Sequence, residues 1–238
     1  NIFLKSLKDF LKSNSIDKAI IIDFPHYNFK IAKILKQQNI PITTFITPNF
    51  WVWKDKKNAK KLVELSDKVI TIFQKEYEFY KELSNNIYYF GNPLAYMIQN
   101  KNTKNLKKVE KNNIKVISLF PGSRKEEIKC LLPKMIKIIE TLDKNQSYKF
   151  YLALSSPKLL EITQKLIEKS NTDITIWDKE KENLFNRSDL AICSAGTISL
   201  ETVLNGIPTV ILGAVSNLTY LIGKYILRIQ FKYAGMPN

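Results

Sequence analysis

The chain has 238 residues, 45% hydrophobic and 25% charged. That is enough for a sizeable core in one or two domains, and it excludes a disordered chain. Its 37 Lys and Arg outweigh 22 Asp and Glu, for a formal charge of +15, which favours nucleic acid, acidic lipid surfaces or phosphorylated substrates as partners. The excess is nearly all Lys, which suits diffuse attraction better than bidentate base reading. Abundant Ile and Asn alongside it give AT-rich coding as an equal explanation. Cys130 and Cys193 are far apart and His26 is the single histidine, which excludes a C-x-x-C pair and a zinc site and implies a reduced, cytoplasmic setting.

In chain order, apolar runs of strand length alternate with helical patterns. Ala19–Asp23 reads as a strand ending in an acid, followed by a helix over Asn28–Gln38 with apolar spacing at Phe29, Ala32 and Leu35. Further strands are predicted at Ile42–Thr47, Val69–Phe73 and Ile87–Phe90, the last ending at Gly91-Asn92-Pro93, with helices between them. Residues 101–115 hold six Lys and one Glu and little apolar content, which reads as an exposed connection. The alternation then restarts. Strands are predicted at Lys115–Phe120, Phe150–Leu154, Ile174–Trp177, Leu190–Cys193 and Thr209–Leu212. Helices are predicted at Glu126–Leu142 (divided at Pro133), Pro157–Lys169, Thr197–Asn205 (capped by Gly206) and Leu218–Ile229. Such a pattern predicts an α/β fold of two Rossmann-like domains with mainly parallel sheets. Their expected bounds are 1–98 and 115–238, joined by a Lys/Asn-rich linker at 99–114.

One stretch imitates a membrane span. From Ile207 to Leu227 the only charge is Lys224, but Pro208, Gly213 and Ser216-Asn217 interrupt it, which favours a short strand and an amphipathic helix. The chain begins at Asn1 without a signal-peptide pattern and stops at Met236-Pro237-Asn238, so it is expected to be a piece of a longer protein.

Three segments carry chemistry. At Ser194-Ala195-Gly196-Thr197 a strand turns into a helix, and a helix N-terminus offers free N–H groups and positive potential to phosphate. Gly196 admits a ligand close to the backbone, Ser194 or Thr197 either caps the helix or binds the ligand, and Glu201, one turn on, can accept from ribose hydroxyls. A capped helix with a solvated Glu201 is the plain alternative. At Phe120-Pro121-Gly122-Ser123-Arg124 a strand runs into a turn that delivers a guanidinium suited to pyrophosphate, and a surface Arg is the alternative. At Asp23-Phe24-Pro25-His26-Tyr27-Asn28, Asp23 ends a strand and is expected to face the cleft between the domains. There it serves as a general base or merely as a turn acid, while Asn28 caps the next helix. His26 reads as a packing or turn residue. Trp51-Val52-Trp53, beside Lys54, Lys56, Lys57, Lys60 and Lys61, reads either as a core-facing aromatic pair or as a surface for bases or lipid.

Together these segments resemble the lipid-A-disaccharide synthases, inverting glycosyltransferases of the GT-B fold. The resemblance rests on Ile22-Asp23-Phe24-Pro25 with Asn28, Trp51-Val52-Trp53, Gly91-Asn92-Pro93-Leu94, Leu119-Phe120-Pro121-Gly122-Ser123-Arg124 and Ser194-Ala195-Gly196-Thr197-Ile198-Ser199-Leu200-Glu201. These matches fall in the family's order. It implies two domains facing a cleft, with acceptor-side residues in the first and UDP-sugar-binding residues in the second. The implied donor is UDP-2,3-diacylglucosamine and the acceptor is 2,3-diacylglucosamine 1-phosphate (lipid X). The products are the lipid A disaccharide 1-phosphate and UDP. The family needs no metal or other cofactor and works at the cytoplasmic face of the inner membrane. By the same carry-over Asp23 and Arg124 are the catalytic pair, and Gly122, Ser123, Arg124, Ser194, Gly196, Thr197, Glu201 and Asn28 are substrate contacts. Two departures stand out: His26 occupies a position where the family carries an acid, and Asn92 one where it carries a His. The alternatives are another GT-B UDP-sugar enzyme, such as a UDP-GlcNAc transferase or 2-epimerase, and a non-catalytic basic binder of membrane or nucleic acid. No nucleic-acid module is recognisable, and a homo-oligomer is left open.

Overall fold

The structure, a computed structural model, describes residues 2–102, 114–142 and 148–213, without the side chains of residues 101 and 102. Contacts divide the chain into two compact units, Asn1–Tyr96 and Met97–Asn238. The expected helix Leu218–Ile229, the Met236–Asn238 segment and most of the expected linker, residues 103–113, lie outside the described residues.

The first unit runs α1 (Ile2–Ser13), β1 (Ala19–Ile22), α2 (Pro25–Gln37), β2 (Ile42–Phe45), α3 (Lys56–Leu65), β3 (Lys68–Thr71), α4 (Gln74–Lys81) and β4 (Ile87–Tyr89), with α5 (Pro93–Asn102) crossing into the second unit. Helix α5 also crosses residue 98, where the sequence pattern placed a domain end. The four strands are parallel in the order β1-β2-β3-β4. Leu4, Leu7 and Leu11 of α1 join Ala32 and Leu35 of α2 in one apolar cluster. This first helix escaped the sequence analysis even though its Leu residues recur at i, i+3, i+7. Pro25 opens α2, where a missing N–H costs nothing. Asn39, at φ 57°, closes it, with Asn39 N–H donating to Lys36 O and Ile40 N–H to Leu35 O, the paired bonds of a left-handed helix stop. Asn28 lies inside α2 and does not cap it, so that expectation is corrected: residue 24 is the N-cap and no side chain caps it.

A buried carboxylate ties the first unit together. Glu76, on α4, is 1% exposed. It accepts from Ile72 N–H at 2.8 Å, Phe73 N–H and Thr47 N–H at 3.1 Å, and the Thr47 hydroxyl at 2.5 Å. A charge out of water requires such partners. This one clamps the carboxyl ends of β2 and β3, while Tyr80 beneath it reaches Pro48 O at 3.4 Å. Burial pushes the Tyr80 phenol well up. At the start of α3, Asn58 N–H and its side-chain amide hold the Asp55 carboxyl below its ordinary value. The stabilisation from that cap is full above the ordinary aspartate value of 3.8 and fades as pH falls through the lowered one.

The second unit runs β5 (Lys115–Phe120), α6 (Lys125–Leu142), β6 (Tyr148–Ala153), a 3-10 turn (Pro157–Leu159), α7 (Leu160–Ile167), β7 (Ile174–Trp177), α8 (Lys181–Phe185), β8 (Leu190–Ser194), α9 (Thr197–Leu204) and β9 (Thr209–Leu212). Its parallel strands lie in the order β7-β6-β5-β8-β9. Apolar clusters cover the sheet: one gathers Leu132, Met135 and Ile139 of α6 against Leu119 and Leu152, another Leu184 and Phe185 against Phe120 and Cys193. Helix α6 is continuous through Pro133, correcting the expected division. An internal Pro costs a helix about 3 kcal/mol. Six buried apolar residues along α6, each contributing roughly 1.5–3 kcal/mol, outweigh that cost. Gly206, at φ 73°, ends α9 with Gly206 N–H on Val203 O and Ile207 N–H on Thr202 O, as its position predicted. No helix among the described residues is long and apolar enough to cross a membrane.

The Glu76 clamp gives a first test. Glu76→Ala leaves buried backbone N–H groups without acceptors, which costs roughly 2–4 kcal/mol. Urea denaturation monitored in the first unit should show that loss, and a change under 0.5 kcal/mol would contradict the clamp.

Candidate functional site

The second sheet reverses direction at one place. From β5 the chain builds outward through β6 and β7, then returns to place β8 on the other side of β5. Loops leaving the carboxyl ends of two such strands diverge and leave a crevice for ligands. Phe120 pairs with Cys193 in the β5–β8 ladder. The predicted loop residues Gly122, Ser123 and Arg124 therefore emerge beside Ser194, Gly196 and Thr197. Glu201 sits one turn into α9.

The first loop is wound on Glu127, an acid in the first turn of α6. Glu127 Oε2 accepts from Ser123 N–H at 3.0 Å and Arg124 N–H at 3.3 Å, and Oε1 lies 3.4 Å from Arg124 Nη1. Gly122 has φ 115°, and a Cβ there would sit 2.5 Å from Glu127 Oε2, so both backbone and space demand glycine. The spacing Arg124-x-x-Glu127 at a helix start was the available signal, since an acid at the third helical position reaches back to the cap N–H. The Arg124 side chain is 82% exposed, so an incoming anion can recruit it.

The second loop is built differently. Gly196 is the N-cap of α9 in extended backbone, and no side chain caps the helix. Neither Ser194 nor Thr197 takes the capping role the sequence allowed. Instead the Ser199 hydroxyl turns back to Gly196 O at 2.7 Å. A Cβ on Gly196 would meet nothing within 4 Å, so neither the backbone nor its neighbours require glycine here. Behind the loop, burial pushes the Cys193 thiol up to about 11, leaving it neutral and unreactive. Glu201, its side chain 14% exposed, accepts from Lys181 Nζ of α8 at 2.5 Å. Nothing in the sequence around Lys181 marks it as part of the site.

In the first unit, the carboxyl ends of β1 and β2 carry backbone strain. Asp23, Phe24 and Ile46 have φ of 42°, 44° and 63°. A left-handed β-branched Ile is unusual, and each such residue costs of order 1–3 kcal/mol. The strain is braced locally. Asp23 N–H donates to Ile46 O at 3.0 Å. The Asn28 amide donates to Ile22 O at 2.9 Å and also to Asp23 O. Asn28 is thus occupied in shaping the Asp23 turn. Asp23 is exposed and lines a small crevice with Pro25, Asn28, Thr44, Pro48 and Ser66. Among the described residues no hydrogen bond or ion pair engages its carboxylate. His26 is exposed, its ring edge-on to Tyr27. Asn92 Oδ1 accepts from Leu94 N–H at 2.9 Å and so caps α5. The tryptophan pair divides: Trp51 packs toward Phe73, whereas Trp53 is exposed. Among the described residues no cluster of His, Cys, Asp and Glu fits a metal ion.

The two glycines separate fold from ligand. Gly122→Ala should destabilise the second unit by about 1 kcal/mol or more through its positive φ and the contact with Glu127. Gly196→Ala should leave the melting temperature within a degree. Thermal denaturation of both variants checks this, and a Gly196→Ala loss as large as that of Gly122→Ala would contradict it.

Comparison with known proteins identifies the family and the fold. The family model described as "Lipid-A-disaccharide synthetase" matches residues 2–238. The lipid-A-disaccharide synthase of Geobacter metallireducens is 28% identical over 237 residues, covering 98% of this chain and 61% of its own length. That of Francisella philomiragia is 31% identical over 246 residues, covering 100% of this chain and 64% of its own. The chain thus spans about three fifths of the length of these relatives. Among solved structures, the Staphylococcus aureus MnaA–UDP complex is similar with a TM-score of 0.64 at 15% identity, covering 98% of this chain and 73% of that one. That likeness bears on the fold alone, which is GT-B-like. A family-model match over essentially the whole chain makes this protein a member of the lipid-A-disaccharide synthase family.

Proposed function

We propose that the second unit binds the UDP part of a UDP-sugar at the β5–β8 edge and that the complete protein is an inverting glycosyltransferase. The donor on this reading is UDP-2,3-diacylglucosamine and the acceptor is 2,3-diacylglucosamine 1-phosphate. The products are the β-1,6-linked disaccharide 1-phosphate and UDP. The observation that carries the nucleotide half is the Phe120–Cys193 pairing, because it puts an exposed guanidinium and an uncapped helix N-terminus at one edge. Arg124 holds the diphosphate through paired bonds, and the first N–H groups of α9, opened by Gly196, add positive potential. Ser123 and Thr197 offer exposed hydroxyls at the same edge, Ser194 lies buried behind them, and Glu201 accepts from the ribose diol. The UDP complex of a protein with a similar fold supports the nucleotide class.

Transfer with inversion needs one base and no covalent intermediate. The acceptor 6-hydroxyl oxygen attacks C1 of the donor sugar. Its proton passes to the Asp23 carboxylate, and the bond from C1 to the diphosphate oxygen breaks with its electron pair leaving on UDP. Charge developing on the diphosphate is met by Arg124 and the helix terminus. An exposed carboxylate on a strained, braced turn supports Asp23 as the base, and the reading requires the two units to bring Asp23 and Arg124 to one substrate pair. Two acylated, anionic substrates place the enzyme at the cytoplasmic face of the inner membrane, where a +15 chain is attracted to acidic lipid.

Two measurements test this reading. In titration calorimetry, Arg124→Ala should weaken UDP binding roughly 10- to 100-fold, as the loss of a charge-assisted contact implies, and unchanged affinity would remove Arg124 from the site. In the full-length protein, Asp23→Ala should lower turnover about 10²- to 10⁴-fold, as expected for a general base, with UDP affinity unaltered. Near-normal turnover in a folded Asp23→Ala protein would rule out the base assignment.

A further inference from the structure

The carboxylate proposed to read the ribose does not stand alone. Lys181 opens α8, on the connection between β7 and β8, and its ammonium lies 2.5 Å from Glu201 Oε2. Glu201 is nearly buried at 14% exposure, whereas Lys181 keeps 46%. The bond joins segments 20 residues apart, so local helix geometry does not impose it. Two consequences follow from elementary chemistry. A carboxylate with one oxygen fixed by a cation presents its other oxygen in a defined direction, which a vicinal diol can exploit. A carboxylate beside a diphosphate site would also repel the ligand, and a cation on the carboxylate removes that repulsion.

We propose that Lys181 is a positioning residue for nucleotide selectivity: it aims and neutralises Glu201, so that the site prefers a ribonucleoside diphosphate over one lacking the ribose hydroxyls. This rests on the nucleotide reading above and adds to it a residue outside the loops that reading uses. A cation that merely stabilised the fold would leave the preference between two nucleotides unchanged, since both meet the same folded protein.

The test compares UDP with 2′,3′-dideoxy-UDP by titration calorimetry on the 238-residue chain, as wild type, Lys181→Met, Lys181→Gln and Lys181→Arg, with circular dichroism as the folding control. The wild type should prefer UDP roughly tenfold, the scale of one hydrogen bond to a charged group. Lys181→Met and Lys181→Gln should reduce that preference to about twofold or less, and Lys181→Arg should restore most of it. If the wild type prefers UDP and both neutral variants keep the full preference, the role of Lys181 is overturned while the nucleotide site stands. If the wild type binds UDP without preferring it, the Glu201–ribose contact falls and Lys181 with it. If the wild type binds neither nucleotide, the nucleotide reading itself fails.

Discussion

The pairing of β5 with β8 is the constraint on which the candidate site depends. Every strand in the second sheet is parallel, so every connection leaves from the same edge, and only where the winding reverses do two neighbouring loops part rather than cross. That place falls between Phe120 and Cys193. The loops there differ in design. One is wound tightly on Glu127 and needs glycine for its own sake; the other leaves Gly196 unconstrained. A rigid frame that carries an exposed Arg124, set beside an open helix terminus, is an arrangement suited to an anion that arrives and departs.

Charge is organised at two scales. The +15 of the chain is diffuse and Lys-rich, a kind of charge that aids encounter with anions rather than recognition. At the candidate site the cations are instead paired one to one. Arg124 meets Glu127 and Lys181 meets Glu201. The first pair is exposed and weak, so a diphosphate can compete for the guanidinium. The second is held in a more buried setting, which suits a fixed acceptor better than an exchangeable one. In the first unit the same logic appears without a cation: four donors hold the Glu76 carboxylate, stiffening the strand ends on which the Asp23 turn rests.

Much of this was legible from the residues. The alternation of apolar runs with helical spacing predicted two parallel sheets, and Lys115–Phe120, Ile174–Trp177 and Thr209–Leu212 are strands with those bounds. The neighbouring position of the two loops came only with the strand order, which sets β5 beside β8. Other features depended on contacts that periodicity does not encode. Pro133 was read as a break because local propensity opposes it, yet burial along α6 overrides that preference. Asn28 was read as a cap, but its amide braces the carbonyls of Ile22 and Asp23. Glu76 and Lys181 went unnamed because a charged residue in a Lys-rich chain carries no mark until its partner, 20 to 29 residues away, is brought beside it.

On the proposed function, a uridine nucleotide binds this chain where β5 and β8 release their loops. Backbone amide chemical shifts of the 238-residue chain, followed through a titration with UDP, test it most directly. The largest changes should fall at Ser123, Arg124, Gly196, Thr197 and Ile198, with the β6 and β7 strands little affected. Saturable changes centred elsewhere, or none at millimolar UDP, would contradict it.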